Sequence, residues 1–220
     1  MKRIPLRFVI PALLPFAAIT AAFAGGWAII TVRDLPDYAV SGRPVSLTFT
    51  VRQHGMTPLV GLMPSVRASA AGHPDLRSPA APTGKSGEYS ATLTFRQAGA
   101  WTIRIDSGFN GNDTTLLPLA VIEAGTARPA PSSPAARGEH LFVAKGCIGC
   151  HRHQQIAAET RVSAGPDLTG KRFPGDRLKA FLANPSQTLK RSGALEYGQM
   201  PNLGLVMAEL DALVAFVNKD

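Results

Sequence analysis

The sequence predicts two domains of different class: an all-β sandwich followed by an all-α domain. Three observations predict it. Apolar residues recur with period two from Trp27 to about Glu123. A run rich in proline, alanine and serine follows, from residue 124 to 137. Beyond it the apolar period becomes helical, and the chain's two cysteines fall in that last part. At 220 residues the chain is long enough for two small domains.

The strands are read from alternation. Val45, Leu47, Phe49 and Val51 alternate with Ser46, Thr48, Thr50 and Arg52. Tyr89 to Phe95 and Trp101 to Ile105 repeat the pattern. Trp27 to Val32 reads as the first strand, Leu62 to Ala70 as a middle one, and Thr115 to Ile122 as the last. Turn signals separate them at Ser41-Gly42, Gly72-His73-Pro74, Pro82-Thr83-Gly84, Gln97-Ala98-Gly99 and Asn110-Gly111-Asn112. Short strands at this spacing indicate a two-layer antiparallel sandwich, each strand apolar on one face and wet on the other.

The stretch from 124 to 137 cannot bury enough apolar surface to fold and reads as a semi-extended tether. Three helices are expected after it. Gly138 to Gly146 is amphipathic, with Leu141 and Phe142 inward and Glu139 and Lys145 toward water. Pro174 to Ala183 carries Leu178, Phe181 and Leu182 at i, i+3, i+4, and Asn184-Pro185 ends it. Val206 to Asn218 carries the stripe Leu210, Leu213, Val214 and Val217, with Glu209 and Asp211 near its N-terminus.

Between the first two helices lies Cys147-Ile148-Gly149-Cys150-His151. Two cysteines two residues apart, with histidine directly after, form the attachment signal for a c-type haem. The thiols add to the two vinyl groups and the imidazole becomes the proximal axial ligand. A structural zinc site wants four ligands, and there is no second cysteine pair; His140 and His153 complete such a set only at unusual spacing. A thioredoxin-like pair needs a βαβ context that the flanks lack. The candidates for the opposite face of the iron are Met200, Met207, His140 and His153. Met207 lies beside the core stripe of the last helix, His140 precedes the haem motif, and His153 is two residues from the proximal ligand. Met200 sits on a proline-stiffened loop before the last helix and can close from the far side.

The residues Gly138, Leu141-Phe142, Gly146-Cys147, Cys150-His151, then Gly165-Pro166-Asp167-Leu168-Thr169-Gly170, then Gln199-Met200-Pro201-Asn202 and a final apolar helix, resemble class I cytochrome c over residues 138–220. The resemblance implies one covalent haem c on Cys147 and Cys150, His151 and Met200 as axial ligands, and Pro166 accepting the other ring nitrogen of His151 through its carbonyl. It also implies that the first and last helices cross at Gly138 and Phe216; many relatives have tyrosine in place of Phe216. The implied activity is electron transfer rather than enzymatic catalysis, as a carrier or as a subunit of an oxidoreductase complex in a respiratory chain.

The first domain, residues 25–123, carries Gln53-His54-Gly55 with Pro58, Gly87-Glu88-Tyr89 and Gly99-Ala100-Trp101. These resemble immunoglobulin-like domains of the YtkA/FixH type, which implies a small sandwich attached to respiratory or copper-handling proteins. His54, Met56, Met63 and His73 are copper-compatible ligands, although a histidine entering a loop and a methionine in a strand are as readily turn and core residues. A copper-handling or haem-sensing periplasmic protein is therefore the alternative function.

Lys2 to Arg7, the apolar run Phe8 to Phe23 and Ala22-Phe23-Ala24 read as a secretory signal over residues 1–24. The run is short of the ~20 residues a membrane span needs; an uncleaved anchor extending through Trp27 to Ile30 is the other reading. Both place the domains in the periplasm or on the outer face of the cytoplasmic membrane, where c-type haem is attached. Part of the +8 net charge belongs to this segment. The rest forms no nucleic-acid-type basic run. Lys171, Arg172, Arg177, Lys179, Lys190 and Arg191 can steer an acidic redox partner, or a membrane respiratory complex, toward the haem edge.

Overall fold

The computed structural model describes residues 26–156, 164–186 and 200–219. The proposed signal segment therefore lies outside the described residues, as do Lys190, Arg191 and Gln199. Among the described residues, no helix is long and apolar enough to cross a membrane.

Eleven strands build the first domain: β1 (Ala28–Val32), β2 (Tyr38–Val40), β3 (Pro44–Gln53), β4 (Thr57–Pro58), β5 (Ser65–Ser69), β6 (Leu76–Pro79), β7 (Ala81–Pro82), β8 (Glu88–Thr94), β9 (Gly99–Asp106), β10 (Asp113–Thr115) and β11 (Leu119–Ile122). They form two sheets. One runs β1-β3-β8-β7 with β4 on β3; the other runs β2-β11-β9-β5-β6 with β10 on β9. The alternation read from the sequence is the alternation of burial. Leu47, Phe49 and Val51 of β3 face Val66 and Ala68 of β5 and Trp101, Ile103 and Ile105 of β9 across one dry layer. Tyr89 reaches through this core to donate its hydroxyl to the Leu59 carbonyl at 2.9 Å, and the Leu62 amide donates back to it.

Two features depart from the expected antiparallel sandwich. The expected last strand, Thr115 to Ile122, is two strands, because Pro118 interrupts the ladder between β10 and β11. One pairing, β2 with β11, is parallel: the chain leaves β1 in one sheet and crosses at Arg33–Asp37 to the edge of the other.

The second domain contains, among the described residues, three α-helices: α1 (Pro134–Ala144), α2 (Gly175–Ala183) and α3 (Met207–Val217). Helix α1 starts four residues before the expected Gly138, inside the stretch read as linker. Pro134 occupies the first helical position, where no amide is needed, and the Ser133 hydroxyl accepts from the Ala136 amide at 3.2 Å. The crossing of α1 and α3 is as the resemblance implied. A Cβ on Gly138 would lie 2.0 Å from the Ala212 carbonyl oxygen and 2.6 Å from Phe216 Cβ, so only glycine lets the backbones meet. Phe142, His153 and Phe216 fill the space beside that crossing, with His153 and Phe216 ring centroids 4.4 Å apart.

The two domains share a wall. Strand β1 is an edge strand, pairing only with β3, yet all five of its residues are buried. Its second face is covered by the end of α1 and the cysteine turn. A Cβ on Gly146 would stand 2.7 Å from the Ile30 carbonyl oxygen, and one on Gly149 2.0 Å from Ile29 Cδ1. Lys145, expected to face water, is 3 % exposed. Its ammonium donates to the Arg33 carbonyl at 2.6 Å and pairs with Glu209 of α3. Arg137 adds an ion pair to Asp37 at 3.1 Å.

Candidate functional site

Helix α1 ends where Gly146 takes φ +78°, a left-handed conformation that a glycine adopts without strain. The chain then makes one 3₁₀ turn, Cys147–Gly149. Both the Cys150 amide (3.1 Å) and the His151 amide (2.8 Å) donate to the Cys147 carbonyl. Residues three apart eclipse in such a turn, which brings Cys147 and Cys150 to the same side with His151 following.

His151 is fixed from below. Its Nδ1 lies 3.0 Å from the Pro166 carbonyl oxygen. A carbonyl only accepts, so Nδ1 carries the proton and Nε2 keeps its lone pair for a metal. Gly165 makes room for the ring: a Cβ there would sit 2.3 Å from Cε1 and 2.5 Å from Nδ1 of His151. The Gly165 amide donates to Cys150 O at 3.1 Å, and the Leu168 amide to Arg152 O at 2.9 Å, which ties this segment to the cysteine turn. The Asp167 carboxyl is held below its usual range by hydrogen bonds from Thr169, whose amide donates at 2.8 Å.

Cys147, Cys150, His151, Pro166 and Met200 all line one cavity of about 890 Å³. Its walls are mainly apolar: Phe142 of α1, Leu178, Phe181 and Leu182 of α2, Leu203 and Leu205 of the Met200 loop, and Leu213 and Val217 of α3. Burial, with Cys150 adding to it, pushes the free Cys147 thiol up to about 12; burial raises Cys150 as well. The donor set fits haem c. Two thiols and an imidazole whose Nδ1 is held by Pro166 line an apolar chamber, and a thioether stands elsewhere in its wall.

The other candidates for the iron lie elsewhere. Met207 is 64 % exposed at the start of α3, not packed as its stripe suggested. His153 is buried against Phe216, a packing role that its position beside the haem motif concealed. His140 is half-buried on α1, and neither it nor His153 lines the cavity.

The four copper-compatible residues are not brought together. His73 stacks on Trp101, which lies near one end of β9, at 5.5 Å. Met63 is 90 % exposed, against Gly108 just beyond the other end of that strand. His54 and Met56 instead line the large cavity, with Trp27 and Ile29. Among the described residues, no group of three or more histidine, cysteine or acidic side chains could hold a metal ion.

Of the basic residues expected near the cavity, Lys179 is paired with Asp211 and Arg172 donates to the Asn218 carbonyl at 3.0 Å. Arg177 lines the cavity.

Two cysteines and a following histidine facing one apolar cavity in a small helical domain are the arrangement that haem attachment requires. Residues 135–219 match the family model described as Cytochrome c. No curated protein matches the chain. Among solved structures it is similar to the Lin-41 filamin domain, at 15 % identity and a TM-score of 0.31, covering 44 % of this chain and 97 % of that one. It is similar also to domains 4 and 5 of the S-layer protein SbsC, at 16 % identity and a TM-score of 0.30, covering 42 % of this chain and 50 % of that one. The chain thus spans half the length of the SbsC structure. The cytochrome c domain supports a role in haem binding and electron transfer.

Proposed function

We propose that this protein is an exported electron-transfer protein with one covalent haem c, acting as a carrier or as a subunit of a respiratory chain. The observation that carries the reading is the single cavity lined by Cys147, Cys150, His151 and Met200, with His151 Nδ1 committed to Pro166. Bound haem would supply a one-electron ferric/ferrous couple. His151 and Met200 would hold the iron, and together they would leave no position for a substrate. Pro166 orients His151 and makes its Nε2 the stronger donor. The apolar side chains exclude water, which favours the less charged ferrous state and limits reorganisation around the iron.

The partner is a redox protein with an acidic docking face, steered by Arg177 of the cavity wall and by Lys171. The sandwich is a YtkA/FixH-type domain that anchors the haem domain within the periplasm or on the outer face of the cytoplasmic membrane.

The test is an optical and near-infrared spectrum of the holoprotein, oxidised and reduced, beside Met200→Ala. A sulfur-to-iron charge-transfer band in the oxidised wild type, lost in the variant, supports the ligand set and outer-sphere electron transfer. A high-spin wild-type spectrum without that band overturns it.

A further inference from the structure

The large cavity is not built by the helical domain alone. Trp27 and Ile29 from the start of the sandwich, and the turn His54-Gly55-Met56 between β3 and β4, supply part of its wall. That turn is held in place. The His54 amide donates to the Trp27 carbonyl at 2.9 Å, the Met56 amide to the Gln53 carbonyl at 3.0 Å, and the His54 ring meets Trp27 edge-on at 5.5 Å. His54 and Gly55 both have positive φ, +53° and +73°. For a histidine this is an uncommon conformation, and here it turns the hairpin tip back toward the helical domain.

The tip also approaches the segment that carries Met200. A Cβ on Gly55 would be 3.7 Å from Pro201 Cγ and 3.7 Å from Ile29 Cγ1, ordinary van der Waals distance. The seat beneath is tight, because Gly146 and Gly149 leave no gap against Ile29 and Ile30. The turn is therefore fixed relative to the cysteines as well as to Pro201.

We propose that the sandwich is a working part of the haem site. Trp27 and Met56 are haem-contact residues, and the 54–56 turn braces the Met200 loop so that the iron stays closed to outside ligands. The proposal rests on the haem reading above. It assigns the sandwich two tasks: keeping water from one edge of the cofactor, and holding Pro201, with Met200 beside it, in the closed position.

The test uses the full-chain holoprotein and the variants Trp27→Ala and Met56→Ala, with Met63→Ala as control. Met63 is on the sandwich, 90 % exposed and outside the cavity. Covalent haem is measured first, from the alkaline pyridine spectrum. The ferric proteins are then titrated with imidazole and with cyanide, and midpoint potentials are taken by spectroelectrochemistry.

The expected result is unchanged haem content, a potential shifted negative, and affinity for both ligands raised about tenfold or more, since loosening the brace populates the open state. Met63→Ala matches the wild type. Should Trp27→Ala fail to fold, Met56→Ala at the exposed turn carries the test. Variants that bind ligands and reduce as the wild type does overturn the proposal and leave the haem reading intact. A wild type without covalent haem overturns both.

Discussion

The ammonium of Lys145 lies 2.6 Å from Glu209 Oε1, joining the last turn of the first helix to the first turn of the last. The same ammonium donates to the Arg33 carbonyl of the sandwich, and the other carboxylate oxygen of Glu209 accepts from the Val206 amide at 3.2 Å. Two helices and the bend that follows β1 are thus held by one buried charge pair. Removing one partner leaves the other uncompensated. Glu209→Leu is expected to destabilise the folded chain by roughly 3 kcal/mol, the low end for a buried pair because Glu209 keeps some solvent contact. Lys145→Met/Glu209→Leu is expected to recover much of that loss. Denaturant midpoints of the singles and the double decide it; singles that match the wild type would show that the pair contributes nothing.

Gly138→Ala places a methyl group 2.0 Å from the Ala212 carbonyl oxygen, a backbone atom that moves only if the helix moves. Overpacking of this kind costs about 1–3 kcal/mol and here reaches the upper end or beyond. The thermal midpoint should fall, whereas Gly204→Ala, with open space around it and a positive φ of +64°, should cost only its backbone strain.

Gly165→Ala acts on the imidazole instead. The new methyl group overlaps the His151 ring, so the ring must leave its hydrogen bond to Pro166. The cysteines are untouched, and the haem should remain covalently attached while the ferric spectrum shifts toward high spin. A variant with a wild-type spectrum would mean that His151 tolerates displacement.

His140 gives the stability a pH dependence. Burial, then the neighbouring Arg137, lowers its pKa from the ordinary 6.5. The unfolded chain therefore takes up a proton at higher pH than the folded one. Stability from this group is complete above about pH 6.5 and is lost as pH falls through the lower folded value. His140→Gln should flatten the fall in denaturant midpoint between about pH 7.5 and 5.5; an equally steep fall in the variant would assign the effect to other groups.

Much of this architecture was legible in the chain. Val45 to Val51 and Trp101 to Ile105 alternate because each strand has one dry face, and that pattern survives without knowledge of the partner sheet. The Cys147 to His151 spacing is local chemistry, and Met200 stood out because a proline loop suits an approach from the far side. What stayed hidden depends on contacts between domains. Lys145 sits on the polar side of α1 when that helix is read alone, and only the sandwich makes that side an interior. Trp27, His54 and Met56 read as strand start and turn, because nothing in a turn signal says what the turn faces. Met207 failed for the converse reason: its stripe continues past the point where the helix has a neighbour.

Strand β1 belongs energetically to both halves of the chain. Its five residues are buried, one face against the sandwich and the other against the cysteine turn and α1. The covalent boundary at the proline-rich stretch is therefore not a boundary of cooperativity. Cutting there would not release two autonomous folding units, since each would carry a bare apolar face, and the sandwich would also lose the cover over its outermost strand. The intact chain should lose both halves in one transition.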